Sequence, residues 1–115
     1  MKIDKIEPET VIHEDVLAAR EGREPRVITR LYSGWVLFGK QQFVRGYALL
    51  LPDPVVPTIN ALGARERGQF LMDMTKVGDA LMKVAGALRV NYAMFGNAEP
   101  ALHAHIAAFF RQFID

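Results

Sequence analysis

The sequence predicts one α+β domain with a mainly antiparallel sheet, one long helix on one face and a short helix near the N-terminus. Three observations lead to this prediction. Strand-like runs rich in β-branched and aromatic residues precede residue 60 and recur after residue 88. Between them, residues 64–88 carry apolar side chains at helical spacing. With 115 residues, 50% of them hydrophobic, the chain suits a single globular domain spanning residues 1–115.

The N-terminal part is predicted to hold an arm followed by a short helix. Residues 1–10 are polar and interrupted by a proline, which favours an extended arm. Val11 to Arg20 has apolar residues at helical spacing, with acidic residues ahead of Arg20, as a helix prefers. Gly22 and Pro25 continue a helix poorly, so the helix is predicted to end before them.

Three strands are predicted before the long helix. Residues 27–32 and 35–38 flank the tight turn Ser33-Gly34 and are typical of an antiparallel hairpin. The run from Ala48 to Leu51 is apolar without a break and ends at Pro52. Continuous apolar strands are buried on both faces, so this run predicts the central strand of the sheet.

The long helix and two final strands complete the predicted fold. The prolines in residues 53–57 favour an extended connection, after which a helix is predicted from Ala64 to Leu88. Strands are predicted over residues 89–95 and 101–110, joined by a connector at 96–100. The helical stripe predicted to face the core consists of Phe70, Met74, Val77, Leu81, Val84 and Leu88.

Composition excludes several kinds of partner and site. The formal net charge of +1 creates no field that would attract nucleic acid or an anionic membrane. The chain has no cysteine, which excludes disulfides and cysteine-rich zinc sites. No signal peptide and no apolar run of about 18 residues is present. We therefore expect a cytoplasmic protein that uses neither a cofactor nor a metal.

Two of the three histidines lie two residues apart on the last predicted strand. Side chains alternate along a strand, so His103 and His105 should project from one face, about 6.5 to 7 Å apart at the backbone. Upstream, Gly96-Asn97 and Glu99-Pro100 form a turn whose amides, with the Asn97 side chain, would face the same way. The pattern predicts a phosphate cradle beside two imidazoles that can act as nucleophiles.

The run Asn-Tyr-x-x-x-Gly-Asn-x-x-x-x-Leu-His-Ala-His-Ile, which begins at Asn91, resembles the signature of the histidine triad (HIT) superfamily. It is most similar to the branch of diadenosine polyphosphate hydrolases, and the order of elements over about residues 30–110 agrees. In that family a His-x-His-x-His strand carries the site, and the middle histidine attacks the α-phosphate of a nucleotide. The resemblance makes His103 the first member and His105 the nucleophile. Ala107 stands at the third position, and Tyr47 follows Gly46 where the family has an auxiliary histidine.

The resemblance implies a HIT-like fold and a nucleotide hydrolase or nucleotidyl transferase. The substrate would be a dinucleoside polyphosphate or a related nucleotide, attacked at the α-phosphate to form a nucleotidyl-histidine. Gly96, Asn97 and Asn91 would bind phosphate, and His103 would orient the substrate or balance its charge. Because sheets of this family join edge to edge, the resemblance also implies a homodimer. The exposed aromatic cluster near the C-terminus fits such an interface: Phe109, Phe110 and Phe113.

Two alternatives to the enzyme remain open at this point. Loss of the third and auxiliary histidines also fits a HIT-like protein that binds nucleotide, or only dimerises, without turnover. A zinc site formed by His103, His105 and His13 is the other alternative, since neutral imidazoles suit zinc. The sequence offers that site no carboxylate or cysteine at ligand spacing.

Overall fold

A five-stranded antiparallel sheet organises the described part of the chain, residues 10–111 of a computed structural model. The strand order is β1-β2-β3-β5-β4. This confirms the predicted α+β class, with one long helix and one short N-terminal helix. Neither helix within residues 10–111 is long and apolar enough to cross a membrane. In chain order the elements are α1 (Val11–Arg20), β1 (Val27–Arg30), β2 (Gly34–Phe38), β3 (Ala48–Pro52), a short 3-10 helix (Ile59–Ala61), α2 (Ala64–Val84), β4 (Arg89–Ala93) and β5 (Ala104–Phe109).

The central strand β3 is covered on both faces, as its unbroken apolar sequence predicts. It pairs with β2 on one side and β5 on the other. One face of the sheet packs on α2 through a core that includes Leu50, Phe70 and Ile106. The opposite face packs on α1 through a second core that includes Val16 and Leu51. Since side chains alternate along the chain, residues 103 and 105 lie on the α1 face.

A capping box begins α1 at the predicted position. The Thr10 hydroxyl oxygen accepts hydrogen bonds from the amides of Ile12 and His13 at 3.1 and 3.3 Å. In return, the Thr10 amide donates to Nδ1 of His13 at 3.2 Å. Such a box satisfies amides that have no partner inside the helix. His13 therefore serves the helix end, and the rest of the predicted arm lies outside the described residues.

Several predicted element boundaries are wrong, and backbone geometry explains two of them. α2 ends at Val84 and not at Leu88, because Gly86 adopts the left-handed conformation (φ +71°) that stops helices. Val84 is consequently 85% exposed and leaves the predicted stripe. β5 begins at Ala104, since the amide of Leu102 donates to the carbonyl of Val56 and not to a strand. β1 and β4 also end earlier than predicted.

The aromatic cluster that predicts a dimer interface is only partly described. Phe109 is 48% exposed at the end of β5. Phe110 lies under the guanidinium of Arg45, whose carbon is 4.0 Å from the ring centre. Arg45 also donates to the carbonyl of Ala85 just beyond α2. Phe113 lies outside the described residues, and the homodimer stays a prediction.

A buried carboxylate joins α2 to the turn between β1 and β2. Asp73 is 1% exposed and accepts hydrogen bonds from the Ser33 amide at 2.8 Å and the Ser33 hydroxyl at 2.7 Å. The Gln69 side chain donates to its other oxygen at 2.9 Å. Burial by itself raises the pKa of Asp73, but these hydrogen bonds outweigh burial and hold the pKa below its ordinary value. The ionised carboxylate therefore stabilises the folded state.

Replacement of Asp73 by asparagine is expected to lower the free energy of unfolding by about 2 kcal/mol at neutral pH, because an amide accepts fewer hydrogen bonds from Ser33 and Gln69. The carboxylate contribution is fully present above the unfolded pKa of about 3.9 and is lost as pH falls through the lower folded-state pKa. Urea unfolding of both proteins over this range should show the difference shrinking in acid. Asp79→Asn, at an exposed position of the same helix, is the control. A difference that is independent of pH would contradict the assigned role.

Candidate active site

His103 and His105 lie side by side on the α1 face of the sheet, as their spacing predicts. Their ring centres are 4.9 Å apart and their planes meet at 71°, so the edge of one ring faces the other. His105 belongs to β5, opposite Leu49 of β3 and Ala93 of β4. His103 precedes the strand and is 8% exposed. Two imidazoles in different hydrogen-bonding environments thus share one site.

A main-chain carbonyl selects the tautomer of His103. Its Nδ1 lies 2.7 Å from the carbonyl oxygen of Ala101. A carbonyl oxygen only accepts hydrogen bonds, so the neutral ring must carry its proton on Nδ1. The lone pair then lies on Nε2, which is free to attack an electrophile or to accept a proton.

Tyr47 is the polar neighbour of His105. Its hydroxyl oxygen is 2.5 Å from Nδ1 of His105, and the two rings are within 4° of parallel. Burial lowers the pKa of His105, and the adjacent His103 lowers it further. Burial also raises the pKa of the Tyr47 phenol. Near neutral pH the pair therefore consists of a neutral imidazole and a protonated phenol.

Two recesses share His103 in their linings. A groove of about 330 Å³ runs between α1 and the loop joining β2 to β3, and both His103 and His105 line it. A smaller pocket of about 180 Å³ is lined by residues 57–60, Phe95, Gly96 and, again, His103. A ligand that fills both recesses would pass beside His103.

Each of the two recesses has one exposed aromatic ring in its lining. Phe43, in the groove, is 81% exposed, and its ring centre is 6.0 Å from that of Tyr47. Phe95, in the pocket, is 68% exposed and 6.4 Å from His105. Lys40 adds an exposed cation to the groove. Exposed aromatic faces beside cationic and polar groups suit a ligand with flat rings and negative charge.

Comparison with solved structures shows which proteins the chain resembles. No protein family model matches the sequence, and no curated protein matches it significantly. A histidine triad protein from Bradyrhizobium japonicum is 28% identical over 74% of this chain and 65% of its own length, with a TM-score of 0.64. The chain has the fold of the histidine triad (HIT) superfamily. The predicted resemblance to this superfamily is confirmed, although the chain spans 65% of the length of the Bradyrhizobium protein.

More distant HIT structures share the fold alone. A Hit-like protein from Bartonella henselae is 12% identical over 96% of this chain and 86% of its own, with a TM-score of 0.75. A HIT family protein from Bacillus anthracis is 13% identical over 83% of this chain and 72% of its own, with a TM-score of 0.70. These matches confirm the HIT-like architecture over most of the chain.

The three residues predicted to bind phosphate lie on β4 and on the connector that follows it. Gly96 lines the smaller pocket together with His103. Asn97 is exposed on the connector, next to Gly96. Asn91 is exposed on β4, where its pairing with Ala107 places it on the face that carries His105. The phosphate-binding role of all three residues stays a prediction.

Sequence reasoning missed Tyr47, which the HIT fold places against His105. The signal was present, since Tyr47 stands where the family has its auxiliary histidine. The family pattern predicts no role for a tyrosine at this position. His13, the third member of the alternative zinc site, is engaged in the α1 cap. Within residues 10–111, no group of three or more potential ligands could hold a metal ion.

Proposed function

We propose that this HIT protein is a nucleotide hydrolase or nucleotidyl transferase that acts at the α-phosphate of a dinucleoside polyphosphate or a related nucleotide. The observation that carries the proposal is the His103 ring, whose Nδ1 is held by the Ala101 carbonyl while its Nε2 keeps the lone pair. An imidazole that is held in this way and lines two recesses suits attack on phosphorus. The likeness to HIT proteins supports the same class of chemistry.

His103 is the nucleophile in this proposal, and the neighbouring His105 donates a hydrogen bond to the substrate phosphate. The resemblance implied the reverse assignment, but the carbonyl of Ala101 favours His103. Its Nε2 forms a bond to the α-phosphorus, while the bond from phosphorus to the bridging oxygen breaks and that oxygen leaves with the electron pair. The ring then carries positive charge, and the Ala101 carbonyl stabilises that charge through Nδ1–H.

Water completes the hydrolysis. Its oxygen bonds to phosphorus, the P–N bond returns its electrons to Nε2, and the spare proton passes to solvent. A nucleotide acceptor in place of water would give a transfer reaction. Polyphosphate leaves as a stable anion, so the missing imidazole at Ala107 matters least for this class of substrate.

The two recesses supply places for the rest of the substrate. Phe43 and Phe95 offer exposed faces on which bases can stack, which contributes about 1 to 3 kcal/mol per base in other proteins. Lys40 would supply a positive charge to the phosphate oxygens. The amide of Gly96 and the side chain of Asn97 would donate hydrogen bonds to them. A ligand with a base at each end of a phosphate chain fits this arrangement.

A HIT protein that binds nucleotide without turnover is the second candidate. Ala107 favours it, because this residue leaves β5 without a third imidazole on the face of His105. Binding and catalysis must therefore be measured separately.

A trapping experiment tests the proposed function. The protein is mixed with a panel of dinucleoside polyphosphates and nucleoside phosphoramidates, then quenched in alkali, because phosphorus–nitrogen bonds to histidine hydrolyse in acid. We expect turnover of the polyphosphates and a nucleotidyl adduct that peptide mass spectrometry maps to His103, with His13 unmodified as the internal control. Binding without an adduct or turnover would favour the second candidate. Absence of binding to every member of the panel would contradict both.

A further inference from the structure

We infer that Tyr47 is a positioning residue: its hydroxyl donates to Nδ1 of His105 and thereby makes Nε2 of His105 a hydrogen-bond donor to the substrate phosphate. The inference rests on the proposed function, which it deepens by assigning a role to the second histidine. The contact that carries it is the 2.5 Å distance between the Tyr47 oxygen and Nδ1 of His105.

The direction of this hydrogen bond follows from the chemistry of its two partners. A phenol is a better donor than acceptor, and the unprotonated nitrogen of imidazole is a strong acceptor. Burial raises the pKa of Tyr47 and lowers that of His105, so both groups are neutral when they meet. Nδ1 of His105 therefore accepts, and the single proton of the neutral ring lies on Nε2.

The surrounding backbone holds the Tyr47 ring in place. The carbonyl of Tyr47 accepts hydrogen bonds from the Gly39 amide at 2.9 Å and the Gln42 side chain at 2.8 Å. The ring lies directly on Gly39, where an added Cβ would come within 2.3 Å of a ring carbon. Glycine at position 39 is therefore required for the present position of the Tyr47 ring.

The two adjacent imidazoles consequently present opposite groups at Nε2. His103 presents a lone pair because a carbonyl holds its Nδ1 proton. His105 presents an N–H because a phenol occupies its Nδ1. One ring can attack phosphorus while the other neutralises charge on a phosphate oxygen, and no proton has to be transferred in the step.

Tyr47→Phe tests the inference because it removes the hydroxyl and keeps the ring. Nitrogen-15 NMR of the imidazoles should show His105 protonated at Nε2 in the wild type and a mixture of both tautomers in the variant. With a dinucleoside polyphosphate, kcat should fall about tenfold while KM changes little, since the donor acts mainly in the transition state. Tyr32→Phe, at a tyrosine that is 64% exposed, is the matched control and should change neither measurement.

A second variant displaces the Tyr47 ring without removing its hydroxyl. Gly39→Ala keeps the Tyr47 hydroxyl but displaces its ring, and we expect the same tautomer mixture and a similar loss of kcat. An unchanged Nε2 proton on His105 in Tyr47→Phe would overturn the inference, whatever the activity. A wild type without turnover would contradict the proposed function instead, and the tautomer measurement would still decide the role of Tyr47.

Discussion

Replacement of His103 by alanine is expected to reduce turnover of a dinucleoside polyphosphate by at least about 10³-fold, because the variant lacks the nucleophile. His105→Ala should be milder, with a loss of about 10- to 100-fold, since it removes a donor and leaves the attacking nitrogen intact. Both variants should bind nucleotide within about tenfold of the wild type, because the rings contribute mainly in the transition state. Steady-state kinetics and calorimetry on the same preparations measure the two effects separately.

The comparison of these two variants also tests which histidine attacks phosphorus and which one donates a hydrogen bond. Added imidazole should partly restore activity to His103→Ala, since it can occupy the vacated space and attack phosphorus itself. If His105→Ala is the inactive protein and His103→Ala retains substantial activity, the assignment implied by the resemblance is right and ours is wrong. In that outcome the hydrolase proposal would stand with His105 as its nucleophile.

The Phe70→Ala variant is expected to lose about 3 to 5 kcal/mol of unfolding free energy, the largest stability effect that we predict. Phe70 is fully buried at the centre of the core between α2 and the sheet. Its removal leaves a cavity under Leu50 of β3 and Ala104 of β5, which the surrounding backbone cannot fully close. Urea denaturation monitored by circular dichroism measures the loss.

Phe43→Ala is the matched control for this experiment. The Phe43 side chain is 81% exposed, so its removal should change the unfolding free energy by less than about 0.5 kcal/mol. The dependence of the free energy on urea should stay the same in both variants if unfolding remains two-state. A Phe70→Ala variant as stable as Phe43→Ala would contradict the packing described for α2.

Periodicity in the sequence was sufficient to predict the sheet, its central strand and the shared face of the two histidines. The unbroken apolar run at residues 48–51 occupies the middle of the sheet because only a strand covered on both faces buries such a sequence. His103 and His105 face the same way because side chains alternate along an extended backbone. α1 matches its predicted bounds because its start and end are determined by neighbouring residues.

Tertiary structure decided the parts of the site that depend on residues distant in the chain. Tyr47 meets His105 only because β3 and β5 pair, which brings together residues 58 positions apart. The tautomer of His103 depends on a main-chain carbonyl, which has no signature in the sequence. The ends of α2 and β5 were likewise decided by the left-handed Gly86 and by the loop hydrogen bond of Leu102. Local patterns specify which face a side chain takes, whereas its hydrogen-bond partner depends on the pairing of strands and loops across the whole domain.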